Sequence, residues 1–80
     1  MTYYVYVLKS QKDGSLYKGM SENPGERLQS HNKGRVRSTK AHRPWRIVYT
    51  ESHASKVEAL QREKFLKSGV GRKFLASLNL

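Results

Sequence analysis

The chain has no cysteine, and only six of its 80 residues are acidic. Without cysteine there is no disulfide scaffold, no thiolate zinc site and no cysteine nucleophile. The longest apolar run, Tyr3 to Leu8, is too short to cross a bilayer. No basic segment followed by an apolar one opens the sequence, so no secretory signal is read and a cytoplasmic location is expected. A glycine-rich phosphate loop and a serine nucleophile elbow are also missing. The three histidines have neither metal-site spacing nor cysteine companions. There is no internal repeat, low-complexity tract or linker, so residues 1–80 are expected to form a single domain.

What is abundant is positive charge. Sixteen Lys and Arg against the six acids give a formal net charge of +10, while the charged share, 28%, is ordinary. A field of one sign points to an anionic partner, and nucleic acid is the default. Charge alone does not separate an enzyme from a binding module.

The elements are short and closely spaced. Tyr3-Tyr4-Val5-Tyr6-Val7-Leu8 reads as a strand buried on both faces, hence a central one. Asp13-Gly14 is a hairpin signal, and Leu16 to Met20 reads as the return strand. Gly19 is weak inside a strand and marks either a bulge or a close approach by a ligand. Asn23-Pro24-Gly25-Glu26 starts a helix with a capping box; it should run to about Asn32 and stop near Gly34. Lys33 to Arg46 is a basic loop, and Trp45 to Glu51 a third strand. Ser55 and Glu58 form a second capping box, with Val57, Leu60 and Lys64 on one side of the helix behind it. That helix should end at Ser68-Gly69, and Arg72 to Leu80 should form a last short helix with Phe74, Leu75 and Leu78 as its stripe. The order strand, strand, helix, strand, helix, helix argues α+β, with a small three-stranded mixed or antiparallel sheet.

Three constellations could carry chemistry. Tyr3, Tyr4, Tyr6 and Tyr17 crowd the hairpin. Core packing accounts for Tyr3 and Tyr4; Tyr6 and Tyr17 stay open, since a phenol becomes a base only when its pKa of about 10 is pulled down. Arg27 and His31, four apart, share a helix face; this is either a solvated face or a site for a phosphodiester, with Arg holding oxygens and His relaying a proton. Glu63 is either an i, i+4 partner of Lys67 or a Mg²⁺ ligand, because Mg²⁺ is often held by one or two carboxylates plus phosphate and water. His42 lies in the basic loop, within reach of phosphate, and His53 reads as an exposed loop residue.

Tyr4-Val5-Tyr6, Tyr17-Lys18-Gly19, Arg27-Leu28 with His31, and Glu58-Ala59-Leu60 with Glu63 resemble, in order and over essentially the whole chain, the GIY-YIG nuclease domain. The resemblance is to its small single-domain bacterial branch, similar to the nuclease part of structure-specific endonucleases. It implies a metal-dependent endonuclease that hydrolyses DNA phosphodiesters, on branched or damaged DNA in repair or recombination. Tyr6 and Tyr17 would be the motif tyrosines, one of which orients the attacking water. Arg27 would stabilise the phosphate, His31 would be the neighbouring helix histidine, and Glu63 would bind one Mg²⁺ or Mn²⁺. Gly19 keeps the second motif's glycine. Tyr4 stands where the first motif has glycine, and Lys18 where the second has an aliphatic residue. Lys33, Arg35, Arg37, Lys40, Arg43 and Arg46 would hold flanking backbone without reading bases. Structured or duplex DNA is the expected partner, with RNA as an alternative, no membrane, and room for a protein partner that selects substrate. The alternatives are a non-catalytic DNA- or RNA-binding module and, behind it, a protein-interaction module for an acidic partner.

Overall fold

The structure is a computed structural model that describes residues 1–80. Strands β1 (Tyr3–Ser10), β2 (Leu16–Ser21) and β3 (Trp45–His53) form one antiparallel sheet in the order β2-β1-β3. As its unbroken apolar run requires, β1 is central: Val5, Tyr6, Val7 and Leu8 are all 1% exposed or less. The β1–β2 hairpin closes over Gln11 to Gly14, where the Gly14 N–H donates to the Ser10 carbonyl at 2.9 Å and Gly14 takes φ +80°, a conformation suited to glycine.

Side chains alternate across the sheet and build a core on each face. Val5 and Val7 face α2 (Lys56–Leu66) and α3 (Gly69–Ser77), packing with Ala59, Leu66 and Leu75. Tyr6 and Leu8 face α1 (Pro24–Asn32), packing with Trp45, Tyr17, Leu28 and Ile47. A bulge in β3 at Val48 lets that strand serve both cores: Val7 pairs with Tyr49 but Leu8 pairs with Ile47. Each fully buried leucine contributes about 1.5–3 kcal/mol.

The three helices differ from expectation in instructive ways. At α1, the Asn23 side chain accepts from the Glu26 N–H at 3.2 Å, but the reciprocal half of the box is absent, because the Asn23 N–H donates to the Ser21 hydroxyl at 2.9 Å. On α2, Val57 and Leu60 are 64% and 45% exposed; the buried side is Ala59 and Leu66. The sheet selects the small alanine where the helix crosses it, so the Val57–Leu60 spacing faces solvent. Helix α3 begins at Gly69, three residues before the expected Arg72, because the Ser68 hydroxyl caps it by accepting from the Gly71 N–H at 3.2 Å. Gly71 has no room for a side chain: a Cβ there would lie 2.0 Å from the Phe65 carbonyl oxygen and 2.5 Å from Leu66 Cα.

The Lys33–Pro44 connection contains one 3-10 turn, Lys40–His42, and is tied down at several points. The Asn32 side chain both donates to and accepts from the Trp45 backbone, at 3.0 and 2.6 Å. The Trp45 indole N–H donates to the Thr39 carbonyl at 2.9 Å, and the Ser10 hydroxyl donates to the His42 carbonyl at 2.6 Å. No helix is long and apolar enough to cross a membrane.

The α2–α3 contact yields a paired prediction. Gly71→Ala should lower unfolding free energy by about 2–4 kcal/mol through its backbone clash. Gly69→Ala, whose Cβ would meet nothing within 4 Å, should be neutral or stabilising by up to about 1 kcal/mol. Urea denaturation of both variants checks this; equal losses would contradict the packing described.

Candidate active site

The site is organised by Tyr6, whose ring leaves the central strand and lies across β2. Tyr6 and Gly19 are Cα partners on the α1 side of the sheet. A Cβ on Gly19 would sit 2.6 Å from both Cζ and Oη of Tyr6. Gly19 therefore marks a close approach, as the sequence suggests, but the approaching group is the chain's own phenol, and the β1–β2 register shows no bulge there. Tyr17 stands beside it with ring centroids 6.4 Å apart. The phenol of Tyr6 is pushed up from its usual pKa, first by burial, with Tyr17 and Glu63 adding and the adjacent Arg27 guanidinium opposing. It is therefore protonated at neutral pH.

His31 is not on a solvated face. It shares the α1 face with Arg27, as its spacing requires, but Arg27 is exposed while His31 is fully buried. The loop that follows α1 covers it and supplies Thr39, also buried. Thr39 Oγ1 lies 3.3 Å from the Val36 carbonyl, to which it donates, and 2.8 Å from His31 Nδ1. With its only proton spent, Thr39 accepts from Nδ1–H. That assigns the tautomer: Nε2 is bare and accepts from the Tyr6 hydroxyl at 3.1 Å. Burial, and secondarily Arg27, lower the His31 pKa, so the ring is neutral. The Tyr17 ring meets it edge-on at 4.8 Å between centroids.

Glu63 arrives from the other side of the sheet. With Ala59 and Leu66 buried, α2 crosses β1 so that Arg62 reaches β3 and Glu63 reaches β2. The carboxylate lies within electrostatic reach of the Tyr6 hydroxyl around the β2 edge, and it also accepts from Lys67 Nζ at 2.8 Å. The pair with Lys67 expected from the i, i+4 spacing is present. Lys18, on the opposite face of β2 from Tyr17, has its pKa lowered by burial and then by Arg72 and Lys67. Glu63 thus sits in a cationic surround. No three His, Cys, Asp or Glu are gathered anywhere in the fold, so a cage of protein ligands is absent. A single hard carboxylate already carrying a cation does fit a Mg²⁺ completed by phosphate and water.

Tyr6, Tyr17, Arg27, His31, Glu63 and Gly19 therefore converge at the β2 edge. The basic residues divide. Lys33, Arg35, Arg37 and Lys40 are exposed. Arg43 is exposed as well, with its Nε donating to the Lys40 carbonyl at 2.9 Å and its guanidinium against Gly34. Arg46 pairs with Lys9, on the face opposite Tyr6. His42 is paired with Asp13 at 2.6 Å. His53 ends β3 rather than lying in a loop, and bonds Glu51 at 3.1 Å. Thr39 is the participant that sequence reasoning did not single out. Nothing in the local pattern marks Thr39, whereas the i, i+4 relation to Glu63 does mark Lys67.

Comparison with known proteins shows the family. Residues 2–74 match the family model described as the GIY-YIG catalytic domain. UPF0213 proteins of Staphylococcus aureus, strains Mu3 and N315 among them, are 39% identical to the chain over 75 residues, covering 92% of it and 90% of their own length. The solution NMR structure of a UPF0213 protein from Bacillus halodurans matches with a TM-score of 0.59 at 34% identity, over 98% of this chain and 85% of that one.

Two expectations follow from the buried relay. Because the folded-state pKa of His31 is depressed, the unfolded chain binds a proton first as pH falls below about 6.5. The stability that His31 contributes is complete above that pH and is lost as pH falls towards the lowered folded value, with a slope of at most about 1.4 kcal/mol per pH unit. Urea denaturation between pH 7.5 and 5 should show the slope in wild type and a smaller one in His31→Gln. Gly19→Ala should displace the Tyr6 ring at a cost of about 1–3 kcal/mol, visible as loss of the Tyr6–His31 contact in NMR spectra.

Proposed function

The chain belongs to the GIY-YIG family, and from that premise we propose that it is a metal-dependent endonuclease hydrolysing DNA phosphodiester bonds, with branched or flapped DNA of the kind handled in repair as its substrate. The observation that carries this reading is the Tyr6 hydroxyl, on which Arg27 and His31 of α1, Tyr17 of β2 and Glu63 of α2 all act.

The chemistry follows from those groups. Arg27, exposed and adjacent to the phenol, holds two oxygens of the scissile phosphate and stabilises the charge that grows there. Tyr6 cannot act as a base by itself, since burial keeps it protonated. It can pass a proton on: the attacking water gives its proton to the Tyr6 oxygen while the Tyr6 proton moves to His31 Nε2. Thr39 keeps that nitrogen bare by accepting from the other side of the ring, and Tyr17 packs the ring in place. Glu63 would hold a Mg²⁺ or Mn²⁺ ion after exchanging Lys67, and the bound ion would supply Lewis-acid stabilisation of the phosphate. The exposed Lys33, Arg35, Arg37 and Lys40 would contact flanking backbone, setting register and not sequence.

Purified protein with Mg²⁺ or Mn²⁺ should nick flap, fork or junction DNA. Glu63→Gln and Arg27→Ala should each reduce the rate at least about 100-fold with the fold intact. Tyr6→Phe and His31→Ala should each cost about 10²–10⁴-fold, and the double variant should be no slower than the worse single one, because the two act as one relay. Absence of cleavage by wild type on all these substrates with either metal would overturn the proposal.

A further inference from the structure

One aromatic residue has no part in either core. Tyr3, Tyr17 and Tyr49 pack against one cluster or the other, but Tyr4 packs against neither. Its hydroxyl makes no hydrogen bond, and its ring pairs with no other ring in the fold, although it sits near the start of the central strand. The expectation that Tyr4 is a core residue is therefore not met. By strand alternation Tyr4 lies on the same face as Tyr6, one repeat or about 7 Å along β1.

The surroundings of Tyr4 are small and open. Its Cα partners are Ser21 on β2 and Ser52 on β3, and Thr50, next on that face of β3, pairs with Tyr6. Ser52 and Thr50 are exposed. Helix α1 starts beside this corner, at Pro24 just after Ser21, and runs away from it: Leu28 and His31 cover Tyr6, Leu8 and Trp45 farther along the face, and Asn32 is tied to Trp45. A half-open tyrosine ring, flanked by hydroxyl-bearing side chains and beside the Tyr6–Arg27 site, is a flat apolar surface within a strongly cationic protein.

We propose that Tyr4 is a stacking platform for one unpaired nucleobase next to the scissile phosphate. This deepens the function proposed above and rests on that site taking nucleic acid. In a duplex, both faces of each base are covered by its neighbours, so such a ring is useful only to a base that has left the stack. The substrate class is accordingly nucleic acid with an unpaired nucleotide at the cut: a single strand, a flap or a frayed end. Ser21, Thr50 and Ser52 present no bidentate pattern that distinguishes one base edge from another, so the platform accepts any base.

Binding in EDTA separates this proposal from the catalytic one, because no cleavage is needed. At one salt concentration, fluorescence anisotropy should show Tyr4→Ala weakening single-stranded DNA binding about 5- to 100-fold. Duplex affinity should stay within twofold, and Tyr4→Phe should bind both like wild type. In wild-type protein, a single-stranded oligonucleotide carrying 5-iodouracil should photo-crosslink to Tyr4, as located by mass spectrometry; this holds even if Tyr4→Ala fails to fold. Equal weakening of single-strand and duplex binding, no weakening of either, or crosslinks confined to other residues would overturn the platform. Failure of wild type to bind any nucleic acid would overturn both readings, whereas binding without nicking in Mg²⁺ would remove only the nuclease.

Discussion

Everything at the site depends on one close contact, the ring of Tyr6 lying on Gly19. Tyr6 belongs to the most buried strand and packs with Leu8 and Trp45, so its backbone and ring base are held as firmly as anything in the fold. A side chain on Gly19 would stop the ring from crossing β2, and the hydroxyl would stay in the core. With glycine there, a core residue delivers its polar end to the edge of the sheet. The hydroxyl needs a buried partner, and His31 supplies it. His31 needs a partner in turn, and Thr39 fixes its tautomer. No buried side-chain polar atom in the protein is left unpaired. The network that satisfies the core is the same one the proposed relay would use, so stability and that chemistry would rest on the same hydrogen bonds.

The charge distribution acquires a geometry from this. The net charge of +10 is spread over surfaces that do different things. Lys33, Arg35, Arg37 and Lys40 lie exposed on the loop that covers His31, while Lys67 pairs with Glu63 and, with Arg72, acts on Lys18 on the other face of β2. An acid in so positive a surround is well placed to be paired, and the Lys67 ammonium does this at low cost, since an exposed i, i+4 pair is worth only a few tenths of a kcal/mol. So weak a pair leaves the carboxylate open to exchange for another cation. Arg43 and Arg46, counted with the loop from sequence, are exposed too; Arg43 bonds the Lys40 carbonyl, and strand register puts Arg46 on the face opposite Tyr6.

Much of this was legible before any coordinates. The run from Tyr3 to Leu8 could only be a central strand, and Asn23-Pro24 and Ser55 mark helix starts by capping chemistry that is local in sequence. The convergence of Tyr6, Tyr17, Arg27, His31 and Glu63 was implied by family resemblance and not by spacing alone. What escaped was whatever depends on contacts between distant segments. Val57 and Leu60 have helical spacing, but which side of α2 meets the sheet is decided by the small Ala59. Helix α3 starts early because Gly71 lets it press on the last turn of α2, and composition does not reveal such a fit. The burial of His31 follows from a loop whose own sequence looks only basic. Tyr4 carries the same strand propensity as Tyr3, but alternation puts it on the other face of the sheet, where it joins neither core.

The remaining question is what keeps α2 rotated so that Glu63 reaches the β2 edge. The residue before it answers. Glu51 on β3 accepts from Arg62 Nε with both oxygens, at 2.9 and 3.0 Å, and pairs with a second guanidinium nitrogen at 2.9 Å. The Arg62 guanidinium also lies over the Phe65 and Phe74 rings, 4.8 and 5.1 Å from their centroids. Tyr49 and His53 bond the same carboxylate. The Glu51 carboxyl is held below its usual range by these partners against the opposing effect of burial, and the Arg62 pKa is raised by Glu51. A charge-assisted fork of this kind fixes orientation as well as position. Successive helical residues are about 100° apart, so anchoring Arg62 to one edge of the sheet directs Glu63 to the other. The Glu51 network lies on the opposite edge strand from Gly19, yet it sets the helix angle on which the Glu63 carboxylate depends.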